Sequence, residues 1–326
     1  MKMAPKLRYI CDMKYKKLLL LVSLVPLVSC SKTMESRVFY FDTLVTIKLY
    51  QGEQSDVGHI KEILKDVDQL ADMYYPRAET NVYTINHTNE VVTVSERLYN
   101  MLYYAYDAHL NGATYYNPLC GSLSELWKTS LANKQVPSDE DIASEVSKIA
   151  TSNLIFTGGN EVQRVGDATI DLGGVAKGYA LDLVKDYLIN TNIKQYLIDA
   201  GNSSILLGRK NTDSGYFNIG IGGINSYLKL KNCVVSTSST SVQGVTIDGV
   251  TYSHIVNPVT GSAINNYDAV LVISDSAFLG DALSTSMMMN TIEEIREIEE
   301  AQNVKTVVYK DGEKVYSHPD LKLYRR

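Results

Sequence analysis

The pattern of apolar and polar positions predicts a strand followed by several helices in the first half of the chain. Residues 38–49 alternate with the two-residue period of a strand. Residues 60–71 then show apolar positions at the three- and four-residue spacings of an amphipathic helix. Ser95 is typical of an N-cap and predicts a helix through residue 109, and Ser138 with Asp141 three residues later predicts another to about residue 150.

The second half is richer in strand patterns, many of them separated by Gly or Asn. The pattern predicts strands over residues 195–198, 204–207, 216–221, 227–236, 245–254 and 269–273, helices over 278–289 and 292–302, and a hairpin over 304–316 that turns at Asp311 and Gly312. Helices mixed with hairpins, without regular alternation, indicate an α+β fold with mixed or antiparallel sheets and flanking helices. We expect residues 37–326 to form a single large domain of two intimate lobes.

The first 29 residues have the parts of a secretory signal. Three lysines within residues 14–17 precede an apolar run at 18–28, which is too short to span a membrane. The Leu-Val-Ser-Cys sequence that ends at Cys30 resembles a bacterial lipobox, which predicts cleavage before Cys30 and its lipidation. An ordinary signal with an incidental cysteine is the alternative. We expect residues 30–36 to be a tether, and the body to lie outside the cytoplasm, lipid-anchored at the periplasmic face of a bacterial membrane.

Charge and cysteine content narrow the possible partners. The chain has a formal net charge of −6, and removal of the signal, with six basic and one acidic side chain, takes the charge to −11. This acidity argues against a nucleic-acid partner. Cys120 and Cys233 remain in the body; two buried thiols fit the sequence at least as well as a disulfide, so no disulfide is predicted.

The stretch most indicative of chemistry is Asp-Leu-Gly-Gly-Val-Ala-Lys-Gly-Tyr-Ala-Leu-Asp at residues 171–182. Residues 168–170 resemble the end of a strand and residues 175–188 have helical spacing, so the Gly-Gly pair lies at a strand-to-helix turn. Such a turn lets backbone approach a ligand and favours an anion such as phosphate. Asp171 beside an anion calls for a metal or a hydrogen-bonding ligand edge. The alternative is an ordinary turn with Lys177 as a solvated helix residue.

A second group of oxygens is predicted on one face of a helix. Asp281, Ser284 and Thr285 stand at positions i, i+3 and i+4. Carboxylate and hydroxyl oxygens suit a hard cation, and Mg²⁺ would complete its shell with water or phosphate oxygens. The alternative is that Asp281 only caps the helix.

Other segments are less decisive. His254 follows a predicted strand and is either structural, a general base or a phosphate contact, since the pKa of histidine lies near neutrality. The run of Ser and Thr at residues 236–241 is either a polar loop or part of a site. Paired Cys or His spacing typical of zinc sites is absent from the sequence, and residues 220–223 do not form a dinucleotide fingerprint.

In order along the chain, these segments resemble the bacterial FAD:protein FMN transferases, the ApbE-like flavin transferases. Residues 171–182 resemble the central motif of that family almost letter for letter, and residues 254–261 resemble its His-Ile-hydrophobic-Asp/Asn-Pro-x-x-Gly motif. Residues 281–285 are similar to its metal-binding Ala-Asp-Ala-x-Ser-Thr segment. Residues 116–127, Tyr-Asn-Pro-Leu-Cys-Gly-Ser-Leu-Ser-Glu-Leu-Trp, resemble its Phe-Asp-Pro-Thr-Val-Gly-Pro-Leu-x-x-Leu-Trp stretch.

The resemblance implies an α+β, T-fold-related domain that binds FAD and Mg²⁺ and moves FMN onto a threonine or serine hydroxyl of an acceptor flavoprotein, with release of AMP. The implied acceptors are subunits of membrane respiratory complexes, of the Na⁺-translocating quinone reductase or Rnf type. The alternatives are an FAD pyrophosphatase that yields FMN and AMP, and a non-catalytic periplasmic flavin-binding lipoprotein.

The resemblance also implies residue roles. The implied metal ligands are the Gly174 carbonyl, Asp281, Ser284 and Thr285. The implied FAD contacts are Phe41, Tyr74, Tyr75, Cys120, Gly121, Ser122, Asp171, Lys177 and Ile255, with Tyr75 or Tyr74 stacked on the flavin. Asp281 and His254 are the expected catalytic residues, His254 as the proton acceptor, with Asp281 or another carboxylate as the alternative. The chain departs from the family pattern where Phe41-Asp42-Thr43 replaces Met-Gly-Thr and where Ala200 replaces a glycine.

Overall fold

The computed structural model describes residues 33–220, 226–240 and 244–325. Its helices are α1 Gln54–Ala71, α2 Val82–Asn86, α3 Glu96–Leu110, α4 Gly121–Ala132, α5 Asp139–Thr151, α6 Ala176–Asn190, α7 Ala277–Met287 and α8 Ile292–Gln302. Its strands are β1 Met34–Tyr40, β2 Thr43–Leu49, β3 Val92–Thr93, β4 Asn153–Thr157, β5 Glu161–Val165, β6 Tyr196–Ala200, β7 Ser204–Leu207, β8 Phe217–Gly220, β9 Ser226–Leu230, β10 Cys233–Ser239, β11 Val245–Ile247, β12 Val250–Tyr252, β13 Ala269–Ser274, β14 Lys305–Lys310, β15 Glu313–Ser317 and β16 Leu323–Arg325.

A long antiparallel sheet organises the described residues. Eight strands lie in the order β1-β2-β6-β7-β10-β13-β14-β15, and each neighbouring pair is antiparallel. Helix α7 packs on β7, β10 and β13, and α6 packs between α7 and α1. The small sheet β16-β9-β8 contributes apolar side chains to a second core on the opposite face. The predicted α+β fold with antiparallel sheets and flanking helices is confirmed.

The side chains of β13 alternate between the two faces of this sheet and are apolar on both. Val270 and Val272 belong to the core under the helices, whereas Leu271 and Ile273 belong to the core under the small sheet. Because successive side chains of a strand point to opposite faces, a strand covered on both sides reads as a continuous apolar run. The sheet therefore holds α6 and α7 on one face only.

Several local predictions are confirmed. Ser95 Oγ accepts a hydrogen bond from Leu98 N at 3.2 Å, and Ser138 Oγ accepts one from Asp141 N at 3.1 Å, so both serines are N-caps. The hairpin of β14 and β15 turns at Asp311 and Gly312, with φ of 53° and 74°. Each of these signals involves residues close together in the sequence, which is why it could be predicted from the sequence.

Three predicted strands are each two strands. Residues 38–49 form β1 and β2, joined at Phe41 and Asp42 with φ of 54° at both, and residues 245–254 contain β11 and β12, joined at Asp248 and Gly249 with φ of 49° and 81°. A two-residue hairpin turn leaves the two-residue period unbroken, so the alternation continued through both turns. Residues 227–236 cross instead from β9 to β10, in different sheets, with Asn232 at φ 51°.

The predicted strand at residues 168–170 is wrong, because this segment bonds to the ends of two helices and to the loop before α4. Thr169 O accepts from Gly121 N at 2.9 Å, and Asp171 N donates to Pro118 O at 2.8 Å. The Asn86 side chain bonds both backbone groups of Ile170, at 2.7 and 2.9 Å. Because these backbone groups are already bonded, residues 168–170 join no sheet. Their contacts place the start of α4 next to Asp171.

Some predictions fall outside the described residues. The signal at residues 1–29, Cys30 and residues 31–32 of the tether lie there, as do residues 221–223 and Ser241. The predicted end of the tether at residue 36 is wrong, because β1 begins at Met34 and pairs with β2 from its first residue. In residues 33–220, 226–240 and 244–325, no helix is both long enough and apolar enough to cross a membrane. Cys120 and Cys233 are free thiols.

Candidate active site

Helices α6 and α7 each supply a carboxylate to the N-terminal end of the other. Asp281 Oδ2, on α7, accepts from Gly178 N at 2.8 Å in the first turn of α6. Asp182, on α6, accepts from Ala277 N at 2.7 Å and Phe278 N at 3.0 Å in the first turn of α7. The first N–H groups of a helix lack partners inside the helix and carry partial positive charge, so each carboxylate stabilises the other helix. This exchange fixes α7 against α6.

Gly178 allows the two helices to approach this closely. A Cβ at this position would lie 2.4 Å from the Ala277 carbonyl oxygen, well inside contact distance. Because the obstacle is backbone, it cannot move aside as a side chain would. Glycine at 178 is therefore what lets the Asp281 carboxylate reach the α6 backbone.

Two strands of the sheet also bind the Asp281 side chain. Its Oδ1 atom accepts from Ser204 Oγ on β7 at 2.8 Å and from Ser236 Oγ on β10 at 2.6 Å. The residue is 5% exposed, and burial raises the pKa of its carboxyl to about 6, against the opposing effects of Lys177 and of these hydrogen bonds. Both acceptor positions of Oδ1 are used, whereas Oδ2 has one left, which can face a cation.

The neighbouring hydroxyls on α7 complete a set of oxygen donors. Ser284 Oγ and Thr285 Oγ1 each donate to the Asp281 carbonyl oxygen at 3.1 Å, and Ser238 Oγ lies 2.9 and 3.2 Å from them. Since each proton is directed at a carbonyl, the hydroxyl oxygens keep lone pairs for a cation. Within the described ranges no three Asp, Glu, His or Cys side chains cluster as a metal site. One carboxylate with hydroxyls suits Mg²⁺, which keeps waters or phosphate oxygens in its shell.

The loop before α6 and the start of α4 form the adjoining wall. Asp171 Oδ1 accepts from Gly173 N at 2.7 Å, and α4 begins after Cys120. Burial is the main cause that raises the pKa of the Asp171 carboxyl. Burial, and next the charge of Asp171, raise the pKa of the Cys120 thiol to about 12. Cys120 is therefore a neutral packing group at this wall, not a thiolate nucleophile.

Two hydroxyls at this wall are buried without a partner. A Cβ at Gly174 would lie 3.2 Å from Tyr116 Cε2, so the Tyr116 ring packs against the Gly174 backbone. Neither the Tyr116 hydroxyl nor Ser122 Oγ has a hydrogen-bond partner within the described part of the chain. An unpartnered buried hydroxyl costs about 1 to 3 kcal/mol. Buried hydroxyls without a hydrogen-bond partner beside Gly174 and Asp171 fit a site that a polar ligand completes.

Lys177 supplies positive charge at this site. Its ammonium group lowers the pKa of Asp281, Asp171 and His254, so it lies near all three. Among the residues that the structure describes, no carboxylate lies within 4.0 Å of its Nζ atom. A lysine near carboxylates but not paired with one is available to an anionic ligand such as phosphate.

His254 and the turn that follows it also lie near Lys177. The surrounding protein, and next the Lys177 charge, lower the pKa of His254, which keeps the ring neutral at pH 7. Ile255 is buried and its carbonyl oxygen accepts from Ile264 N at 3.0 Å. Trp127 Nε1, on α4, donates to Gly261 O at 2.7 Å and ties this turn to α4.

The residues implied to contact the flavin lie on turns. Phe41 N, in the β1–β2 turn, donates to Asp68 Oδ1 at 2.6 Å. The Tyr74 hydroxyl donates to Glu125 Oε2 at 2.8 Å, and Lys128 Nζ lies 4.5 Å from the centroid of the Tyr74 ring. Tyr75 is 60% exposed, whereas Tyr74 is 44% exposed. Tyr75 therefore offers the more accessible ring.

Lys128 lies near both Tyr74 and Asp171, a position that the sequence analysis missed. Its Nζ atom donates to the Tyr74 hydroxyl at 3.0 Å, and this hydrogen bond is the main cause that raises the pKa of Lys128. The Lys128 charge also opposes the burial that raises the pKa of Asp171. The roles of Ser204, Tyr116 and Ser236 were also not predicted individually. One signal could have found the serines: they occupy strand positions whose alternation points to the helix side, where apolar residues are expected. For residues 236–239 the polar-loop alternative is wrong, because they belong to β10.

Comparison with known proteins identifies the family of this chain. The sequence profile of the ApbE family matches residues 41–308. The chain therefore belongs to the ApbE family.

Two relatives show the extent of the similarity. The FAD:protein FMN transferase of Klebsiella pneumoniae (strain 342) is 27% identical over 262 residues, covering 77% of this chain and 82% of the relative. The FAD:protein FMN transferase of Vibrio cholerae serotype O1 is 25% identical over 330 residues, covering 94% and 98%.

Solved structures agree on the fold. The ApbE protein of Thermotoga maritima superposes with a TM-score of 0.75 at 26% identity, over 90% of this chain and 97% of that one. The flavin transferase ApbE of Vibrio cholerae gives a TM-score of 0.72 at 23% identity, with the same coverage. The architecture described above is therefore that of ApbE proteins.

Proposed function

We propose that this protein is a Mg²⁺-dependent FAD:protein FMN transferase, which cleaves FAD and attaches FMN to a threonine or serine hydroxyl of an acceptor flavoprotein, with release of AMP. One observation carries the proposal: the Asp281 carboxylate is fixed between α6, β7 and β10 with one acceptor position left, near the charge of Lys177. The names of the relatives point to the same activity.

The proposed reaction is a transfer between two oxygens at one phosphorus. The acceptor hydroxyl attacks the phosphorus on the riboflavin side of the FAD diphosphate, and a new P–O bond to the acceptor forms. The bond from that phosphorus to the bridging oxygen breaks, and the electron pair leaves with AMP. Phosphoryl transfer depends mainly on positioning and charge stabilisation. Lys177 and the N-terminal end of α6 would bear part of the charge that develops on the diphosphate.

His254 is the proposed acceptor of the proton from the attacking hydroxyl. Its lowered pKa keeps the imidazole neutral at pH 7, so it has a lone pair available. Asp281 is the less suitable base, since three hydrogen bonds already engage its carboxylate. The proton would pass from His254 to solvent after transfer.

The oxygen set on α7 is the proposed metal site. Asp281, Thr285 and Ser284 would hold Mg²⁺ together with the Gly174 carbonyl, a donor set of the kind that Mg²⁺ accepts. When bound, the ion supplies a Lewis acid and a template for the diphosphate oxygens.

The partners and the location are also proposals. The leader, with its lipobox ending at Cys30, supports a protein anchored by lipid at the periplasmic face of a bacterial membrane. Acceptors in that compartment would be extracytoplasmic subunits of membrane respiratory complexes, such as the Na⁺-translocating quinone reductase or Rnf type. The acidic body argues against a nucleic-acid partner.

The test is incubation of the purified protein with FAD and Mg²⁺, with and without an acceptor domain. Chromatography follows FMN and AMP, and mass spectrometry follows the acceptor. The transferase produces AMP together with an acceptor heavier by one esterified FMN. Free FMN formed at a rate that the acceptor does not change would instead identify a pyrophosphatase. FAD that stays intact with both partners present would identify a flavin-binding protein without activity.

A further inference from the structure

Tyr116 is a buried tyrosine that the fold leaves incompletely bonded. Its side chain belongs to the main core at 4% exposure, and its hydroxyl has no hydrogen-bond partner in residues 33–220, 226–240 and 244–325. Leaving a buried hydroxyl unpaired lowers stability, whereas phenylalanine would fill the same space without that cost. The hydroxyl is therefore better explained by a ligand than by packing.

Backbone contacts fix the position of this ring. Tyr116 N donates to Ala113 O at 2.8 Å, and the Tyr116 carbonyl oxygen lies 2.7 Å from His109 Nδ1 on α3. The preceding residue, Tyr115, donates its N–H to Ser286 Oγ on α7 at 3.1 Å. On the other side the ring edge meets the backbone of Gly174. Contacts with α3, α7 and the loop before α6 thus hold the phenol in one place.

The surroundings of the hydroxyl indicate which kind of atom it can bind. Burial is the main cause that raises the pKa of Tyr116, and the charges of Cys120, Asp171 and Asp281 add to it, so both carboxylates are near. Neither carboxylate accepts a hydrogen bond from the hydroxyl. The phenol therefore remains a neutral O–H donor, beside the Gly174 backbone in the loop before α6. An anionic ligand oxygen within hydrogen-bond distance of this hydroxyl would be a strong acceptor.

We propose that the Tyr116 hydroxyl donates a hydrogen bond to a diphosphate oxygen of the bound nucleotide, as a further substrate-binding residue of the site. The inference rests on the proposed function, because the diphosphate is that of FAD. Removal of the hydroxyl is expected to weaken binding without abolishing transfer.

The test compares Tyr116→Phe with wild type by calorimetric titration in the presence of Mg²⁺. ADP is the probe with a diphosphate, adenosine is the probe without one, and Mg²⁺ alone is a third titration. A hydrogen bond to a charged group corresponds to a loss of about tenfold or more in ADP affinity. Adenosine and Mg²⁺ affinities are expected to stay unchanged. The melting temperature of the ligand-free variant is expected to equal or exceed that of wild type, because an unpaired hydroxyl has been removed.

Tyr179→Phe is the matched control. Tyr179 is 6% exposed, and its hydroxyl donates to Arg97 O at 3.1 Å, so its removal breaks a satisfied bond. This control is expected to melt at a lower temperature and to bind ADP as wild type does. The two variants thus distinguish a tyrosine hydroxyl that binds a ligand from one that stabilises the fold.

Each contrary result has a distinct meaning. If wild type binds ADP and Tyr116→Phe binds it equally well, the Tyr116 proposal is wrong and the proposed function stands. If wild type binds neither ADP nor FAD with Mg²⁺, both are wrong. An equal loss for adenosine, a loss for Mg²⁺ alone, or a lower melting temperature of the ligand-free variant would each overturn the assignment to the diphosphate.

Discussion

The two ends of the candidate site are built in opposite ways. Asp281 is 5% exposed and three hydrogen bonds hold its carboxylate, from elements of regular structure. Tyr75 lies in a loop and is 60% exposed, and Phe41 lies in a hairpin turn. Charge acts more strongly where water is excluded and donors are fixed in advance. The difference indicates that the fold itself organises the proposed phosphate and metal end, whereas the flavin ring would cover exposed aromatic residues when it binds.

The largest effect is expected at the buried end. Asp281→Ala removes the only carboxylate of the proposed metal set and is expected to abolish Mg²⁺-dependent turnover, a loss of at least about a hundredfold. The measurement is FMN transfer over a Mg²⁺ titration, with circular dichroism to verify folding. Asp182→Ala is the matched control, since it removes the reciprocal cap of α7 and is expected to cost about 1 to 2 kcal/mol of stability with Mg²⁺ dependence retained. Turnover of Asp281→Ala at the wild-type rate would remove the metal assignment.

The contact between α6 and α7 is the next most sensitive point. Gly178→Ala would bring a methyl group 2.4 Å from Ala277 O and force the helices apart. We expect about 2 kcal/mol or more of lost stability and a fall in turnover of roughly tenfold or more, by denaturation and rate measurements. Gly58→Ala, in α1, is the control, because nothing lies within 4 Å of its new methyl group, and it should stabilise the protein by about 0.5 to 1 kcal/mol. Equal behaviour of the two variants would contradict this account.

Stability should depend on pH through Asp281. Its carboxyl pKa is raised from 3.8 to about 6 in the metal-free fold, so the folded state binds more protons than the unfolded state between these values. The protonated Asp281 carboxyl therefore adds on the order of 3 kcal/mol to the free energy of unfolding below about pH 4, and this stabilisation is lost as the pH rises through 6. The measurement is denaturant unfolding without metal from pH 4 to 8. Because other acids titrate in this range, the relevant quantity is the difference from Asp281→Asn; a flat difference would contradict the raised pKa.

The smallest effects are expected at the exposed end. Tyr75→Ala removes the accessible ring, and stacking worth about 1 kcal/mol corresponds to a five- to tenfold weaker FAD affinity with little change in maximal rate. Tyr74→Phe keeps a ring but removes the bond to Glu125, and its effect on affinity is expected to be smaller still. Fluorescence titration with FAD measures both. A greater loss with Tyr74→Phe than with Tyr75→Ala would show that the roles of the two tyrosines are reversed.

Local signals in the sequence predicted much of the fold. Ser95 and Ser138 were identified as caps because each capping hydrogen bond joins residues only three positions apart. The turn at Phe41 and Asp42 was missed because neither residue is glycine and the alternation ran through it. The turn at Asp248 and Gly249 carried a recognisable Asp-Gly signal within a pattern that read as one strand.

The candidate site was likewise predicted where its motifs are local and missed where its contacts join residues far apart in the sequence. The residues of 171–182 and 281–285 were chosen because each stretch carries its chemistry within one short motif. The contacts of Asp281 with Ser204 and Ser236 join residues 77 and 45 positions apart, so no spacing in the sequence indicates them. The unpaired state of the Tyr116 hydroxyl is likewise a property of the packed fold, visible only when its neighbours are known.

The most direct measurement of the central claim is a crystal structure of the protein with ADP and Mn²⁺, a heavier substitute for Mg²⁺, analysed by anomalous scattering. The account predicts one anomalous peak at coordination distance from the Gly174 carbonyl, the Asp281 carboxylate and the Thr285 hydroxyl, with diphosphate oxygens in the same shell. A peak that lies away from Asp281, or a well-ordered ADP whose diphosphate contacts neither the ion nor the start of α6, would contradict it.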